Sequence, residues 1–122
     1  MNSFNDVEVF MEACDQNSKG FCGQSDLYLK LIREEFEELM LAYKNRDIVE
    51  IADACADLKW VIEGLEITLE LPQQQLWNEV SRSNLSKISS NGKVLKREDG
   101  KVLKPEGWSP PNIGAILNFR EF

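Results

Sequence analysis

Three residues, Asn45-Arg46-Asp47, separate two long stretches of helical sequence. A connection that short makes the second helix fold back antiparallel on the first. Both arms of this hairpin carry acids set among apolar residues. The first reads Leu31-Ile32-Arg33-Glu34-Glu35-Phe36-Glu37-Glu38-Leu39, the second Glu50-Ile51-Ala52-Asp53-Ala54-Cys55-Ala56-Asp57. Packed together, Glu-Glu-x-x-Glu and Glu-x-x-Asp bring carboxylates face to face. Crowded carboxylates need a counter-charge, and hard divalent cations take oxygen ligands.

With Glu34 as origin and about 100° per residue, Glu38 falls at about 40° and Glu35 at about 100°. Leu27, Leu31 and Ala42 share that arc, while Lys30, Arg33, Glu37 and Lys44 lie opposite. Glu34, Glu35 and Glu38 are therefore expected on the packed side. Glu37 is expected to be a surface acid with Arg33 as its i,i+4 partner. On the second arm Glu50, Asp53 and Asp57 form one stripe. Ile51, Cys55, Leu58, Ile62, Leu65 and Leu69 form an apolar seam beside it, with Cys55 a small core residue. Plainer readings exist for some of these acids. Glu-rich helices are common on solvated faces, and Asp47 with Glu50 fits a capping box. Asp53 and Asp57 resist such readings: aspartate is a poor helix-interior residue, and a buried carboxylate without compensation is costly. Taken jointly, the pattern favours a metal site.

The chain has 122 residues, room for one domain with a small core. A net charge of −7 argues against binding nucleic acid polymers, which takes a basic footprint. The absence of histidine removes Ser-His-Asp and Cys-His catalysis, histidine-ligated zinc and histidine proton shuttles. Three cysteines with no Cys-x-x-Cys pair point to a reducing, cytoplasmic compartment. The N-terminus has no signal-peptide pattern, and no segment reaches the ~20 apolar residues of a membrane span.

The punctuation predicts four helices. Ser3 with Asp6 starts the first, which runs to about residue 15. Ser25 or Asp26 caps the second, to about Asn45. The third runs from about Ile48 to Leu71, where Pro72 stops it. The fourth covers Gln73 to about Ser89, with Trp77 in the core. Val94–Arg97 and Lys101–Lys104 flank an Asp99-Gly100 turn, a hairpin signal. The tail from Pro105 to Phe122 is expected to be extended and to dock by Trp108, Ile113 and Ile116. No internal repeat is apparent. The fold class is all-α, one domain over 1–122. An antiparallel four-helix-bundle-like core spans about 3–90, with a short C-terminal β-hairpin and extended tail over about 91–122. Because the third helix is apolar on several faces, another subunit is expected to complete the fold.

Glu34-Glu35-x-x-Glu38 followed by Glu50-x-x-Asp53 resembles the signature of the MazG-like all-α nucleoside triphosphate pyrophosphohydrolases, relatives of the dimeric dUTPases and of phosphoribosyl-ATP pyrophosphohydrolase. Glu50 to Gly64 is close to that family's second motif. Val80-Ser-Arg-Ser-Asn84-Leu-Ser-Lys87 and Asp99-Gly-Lys101-Val-Leu-Lys104-Pro look like the phosphate-side segments of its short members. The likeness spans roughly residues 25–112; the interval from Glu38 to Glu50 is at the short end of the family's range. The resemblance implies Mg²⁺-dependent cleavage of (deoxy)nucleoside triphosphates between the α- and β-phosphates, in a homodimer or dimer of dimers. It implies Glu35, Glu38, Glu50 and Asp53 as metal ligands, with Asp57 a further candidate, and Glu34 as the catalytic group acting on water. Asn84, Lys87, Lys101 and Lys104 would bind phosphate; read without the family, they are equally a polar helix end and a soluble hairpin. The alternatives are a phosphoribosyl-ATP hydrolase and a non-enzymatic acidic interaction module.

Overall fold

The computed structural model describes residues 3–117, with Ser3 and Phe4 as backbone alone. Five helices follow in order: α1 (Ser3–Ala13), α2 (Gly23–Lys44), α3 (Ile48–Thr68), α4 (Gln73–Leu85) and the short α5 (Ile113–Leu117). The chain divides at Leu71/Pro72 into two compact units. The Ser3 cap and the end of the tail beyond Leu117 lie outside the described residues.

In the first unit, α2 and α3 form the antiparallel hairpin and α1 packs on α3. Helices α1, α2 and α3 all end the same way. Asp15, Arg46 and Glu70 take left-handed φ values of 58°, 54° and 55°. The N–H one residue further on closes back on the helix, from Gln16 to Met11, from Asp47 to Ala42 and from Leu71 to Glu66. These are Schellman closures made without glycine. Asp47 then caps α3, its carboxylate accepting from the Glu50 N–H at 3.2 Å. At the start of α2 the cap is Cys22, and Ser25 is the third helical residue, not the cap. Its Oγ accepts from Cys22 N–H and donates to Cys22 O, both at 2.8 Å.

The core consists of Val7, Met11, Tyr28, Val61 and Ile67, with Leu31, Ile32, Leu58 and Leu65 packed against it. On α2 the inward stripe runs Ser25, Tyr28, Ile32, Glu35, Leu39, Ala42, so the helix is rotated from the expected arc. On α3 the inward stripe is Ala54, Asp57, Val61, Gly64, Thr68. The seam expected there is overturned in part: Cys55 and Ile62 are exposed. The reason is close approach. A Cβ at Gly64 would stand 2.1 Å from the Tyr28 ring, so the glycine face, not the leucine face, meets α2. Polar bonds secure the 16–24 connection: Gln24 Nε2 donates to Thr68 Oγ1 at 2.9 Å, and Gly20 N–H to Thr68 O at 2.8 Å.

In the second unit α4 is shorter than expected and turns Ser83 inward. Trp77, predicted to be core, is 71% exposed, because the inward face follows Leu76, Glu79 and Ser83 and leaves Trp77 outside it. No β-strand forms among the described residues; the expected hairpin is reduced to isolated antiparallel bridges, Ile88 with Val94 and Lys96 with Val102. These bridges expose an internal repeat: Asn91-Gly-Lys-Val-Leu-Lys96 recurs as Asp99-Gly-Lys-Val-Leu-Lys104. The backbone repeats with it. Asn91 and Asp99 each accept from the N–H two residues on, at 3.0 Å. Ser89 N–H donates to Lys93 O as Arg97 N–H does to Lys101 O. Gly92 and Gly100 adopt φ of 79° and 88°, open to glycine at little cost. Two turns this close leave each arm too short for a ladder. The tail is not wholly extended, since Ile113–Leu117 forms a single helical turn.

Candidate active site

Glu35 sits on the inward stripe of α2, half-buried, and Asp57 is half-buried on that of α3. Glu38 and Asp53 are exposed at the edge of the same contact. Burial, then a hydrogen bond with Glu38 and the charges of Glu38, Asp57 and Asp53, push the Glu35 carboxyl up to about 7. Asp57 is raised too, first by burial, then by Asp53 and Glu38. The fold thus disfavours the charged carboxylates as it stands, and a bound cation would reverse that preference. Glu35 Oε2 is closed off from solvent with no hydrogen-bond partner. An orphaned buried carboxylate oxygen is costly.

A groove of about 170 Å³ at the closed end of the hairpin is lined by Glu38, Asn45, Asp47, Glu50 and Asp53, with Leu41, Ala42 and Ala54 as its apolar wall. Glu38, Glu50 and Asp53 thus meet in one groove, while Glu35 and Asp57 lie in the helix contact beside it. Glu34 is exposed and is not among the groove's lining residues, and Glu37 is exposed as expected. The expectation that Glu34 points into the packing is corrected by the rotation of α2, which centres the inward face on Glu35. Among the described residues, no group of three or more such side chains is placed to hold a metal ion as it stands. The donor set is nonetheless all oxygen, and the orphaned Glu35 oxygen and the crowded carboxyls around it fit a hard cation.

The phosphate-side residues lie in the second unit. Lys87 Nζ donates to Asn84 Oδ1 at 2.9 Å. Lys87 and Lys104 both lie over the Trp108 ring, 5.6 Å and 4.6 Å from its centroid. Lys101 is exposed, its N–H held by Asp99. Sequence reasoning treated Trp108 as a docking anchor and missed its part in gathering these lysines. The one signal in the sequence was the tryptophan following a lysine-rich turn.

Acids gathered on a helical hairpin fit the class of all-α pyrophosphohydrolases. Residues 8–84 match the phosphoribosyl-ATP pyrophosphohydrolase family, and the chain belongs to it. The match starts within α1, takes in α2, α3 and every acid of the hairpin discussed above, and ends at Asn84, before Lys87, Lys101 and Lys104. With the family goes hydrolysis of a phosphoanhydride in a nucleoside triphosphate-like substrate. No curated protein matches the chain. No helix among the described residues is long and apolar enough to cross a membrane.

Proposed function

We propose that the chain is a MazG-like hydrolase of (deoxy)nucleoside triphosphates, cleaving between the α- and β-phosphates to the monophosphate and pyrophosphate, in clearance of unwanted nucleotides. The observation that carries this is Glu35: its neutral-leaning carboxyl and unpartnered oxygen stand among Glu38, Asp53 and Asp57 within the family match. Glu35, Glu38, Glu50 and Asp53 would hold Mg²⁺, with Mn²⁺ as a substitute and Asp57 as a further acid beside them. Bound there, the metal supplies charge neutralisation to the phosphates. Glu34, exposed on α2 beside Glu35 in the sequence, would orient or deprotonate the attacking water. Asn84, Lys87, Lys101 and Lys104 would bind the β- and γ-phosphates and the leaving pyrophosphate.

Phosphoribosyl-ATP is the second reading, favoured by the family match itself. Both readings break the same kind of bond and use the same acids. A screen of ordinary and modified nucleoside triphosphates and phosphoribosyl-ATP for Mg²⁺-dependent pyrophosphate release separates them, since a phosphoribosyl-ATP enzyme turns over that compound alone. Retention of most pyrophosphate release by Glu35→Gln and Asp53→Asn would remove the site assignment under either reading.

The assembly we propose is a homodimer or dimer of dimers. It is supported by the apolar side chains α3 leaves exposed, Ile48, Val49, Trp60 and Ile62. Light scattering at micromolar concentration should return a dimeric mass or a multiple of it; a fully active monomer would exclude it.

A further inference from the structure

Lys87 follows the end of α4 and Lys104 ends the second Asx-Gly turn, yet their ammonium groups share one ring. Among the described residues neither lysine has a carboxylate partner, whereas Arg82 pairs with Glu79 and Arg97 with Asp99. Two like charges brought together repel. The negative face of the indole offsets part of that repulsion, and an anion between them would offset the rest.

The ring is fixed before any ligand arrives. Trp108 Nε1 donates to Ser83 O at 3.0 Å, and Ser83 Oγ donates to Ser109 O at 2.8 Å. Ser83 is fully buried. Arg82, paired with Glu79 through two nitrogens, also donates to Ser109 Oγ and Pro110 O. Glu79 in turn accepts from Asn112 N–H at 2.6 Å. Residues 108–112 are thereby bolted along α4. Arg82 is spent on this bracing, which leaves the two lysines as the cations facing outward around the ring.

We propose that Trp108 is a positioning residue: its ring gathers Lys87 and Lys104 into one anion site that takes the pyrophosphate end of the substrate. This rests on the phosphate role proposed for the two lysines. The internal repeat supplies its own control. Lys96 is the counterpart of Lys104 in the first turn, with the same four preceding residues, and among the described residues no ring lies under it.

The test is calorimetric titration of the full chain with inorganic pyrophosphate in EDTA, which isolates the cations from any metal-borne binding. Trp108→Leu and Lys104→Ala should each weaken pyrophosphate about tenfold, and Trp108→Phe, which keeps an aromatic face, about threefold. Lys96→Ala should bind within about twofold of wild type, as a solvated lysine does. In turnover, Trp108→Leu should raise KM and leave kcat within about twofold, the mark of lost ground-state binding. Equal effects of Lys96→Ala and Lys104→Ala, or wild-type binding by Trp108→Leu, would overturn the proposal. Both lysines are exposed, so that pair remains decisive if Trp108→Leu does not fold. A wild-type chain that ignores pyrophosphate in EDTA yet releases it from nucleotides would also overturn it while leaving the hydrolase reading intact. Failure of the hydrolase reading would appear separately, as no Mg²⁺-dependent pyrophosphate release by the wild-type chain from any nucleotide in the screen.

Discussion

The two units hold unneutralised charge in opposite ways. In the first, carboxyls are pressed into a helix contact that raises their pKa, and one oxygen is left without a partner. In the second, ammonium groups are spread over an aromatic face that asks for no proton and gives up none. The acids are thus costly to ionise without a cation, whereas the repulsion between the lysines is already partly offset by the ring. A charged group whose ground state is costly repays a ligand with stability as well as affinity.

The largest expected effect tests this division of labour. Glu35→Gln should cut pyrophosphate release at least about a hundredfold, largely in kcat, because charge developing on the phosphates goes unmatched. Lys104→Ala should cost only about tenfold, largely in KM. A Lys104→Ala defect confined to kcat would break the comparison.

The next effect is thermal and depends on pH with opposite sign in the two units. Below about pH 4.5, Glu35 keeps its proton both folded and unfolded. As pH rises toward 7 the unfolded chain ionises first, so the metal-free fold loses stability through that window. In EDTA, Tm should fall between pH 4.5 and 7.5, and Mg²⁺ should restore most of it at the upper end; a Tm that is flat or rising over that span contradicts the raised Glu35 carboxyl. Glu79 runs the other way. The Arg82 hydrogen bond, then the Asn112 N–H, hold it at about 2, so its contribution is present above about 4.5 and lost as pH falls through 2. The Trp108 indole N–H resonance, bonded to Ser83, should therefore persist to pH 3. Its early loss would show that the brace on α4 is weaker than its geometry.

How much of this was legible in the sequence follows from where the signals are local. Helix ends are set by residues next to them, so Asp47 and Pro72 gave the hairpin and its termination. The acids stood out because aspartate among alanines has few structural excuses. Rotation is different: α3 is apolar nearly all round, and its periodicity cannot say which face turns inward. Gly64 and Tyr28 decided it, and their meeting is a tertiary fact that left Cys55 outside. Trp77 was misplaced for a related reason, since α4 packs through a serine. The repeat at residues 91–104 was in plain view, but its aspartate-for-asparagine change and short period hid it until the turns aligned.

The smallest effect is a control on that rotation. Glu37 is exposed and should be replaceable by Gln with a stability change within about 0.5 kcal/mol. The Mg²⁺-induced Tm shift should also be unchanged, while Glu38→Gln reduces it. The reverse ranking would mean that α2 is turned differently in solution.

Gly64 also works as a gauge. The hairpin is closed at Arg46 and open toward Thr68, so its arms behave as a pair of tongs. Asp57 lies roughly 16 Å from the closed end and Gly64 roughly 27 Å, at about 1.5 Å per residue. Any wedge at Gly64 therefore reaches the acids reduced to roughly six-tenths of its size. A methyl group there would push against the Tyr28 ring and open the acid pair by a fraction of an ångström. Graded side chains at position 64 would set the jaw opening in steps, and with it the spacing of the acids, without replacing any of them.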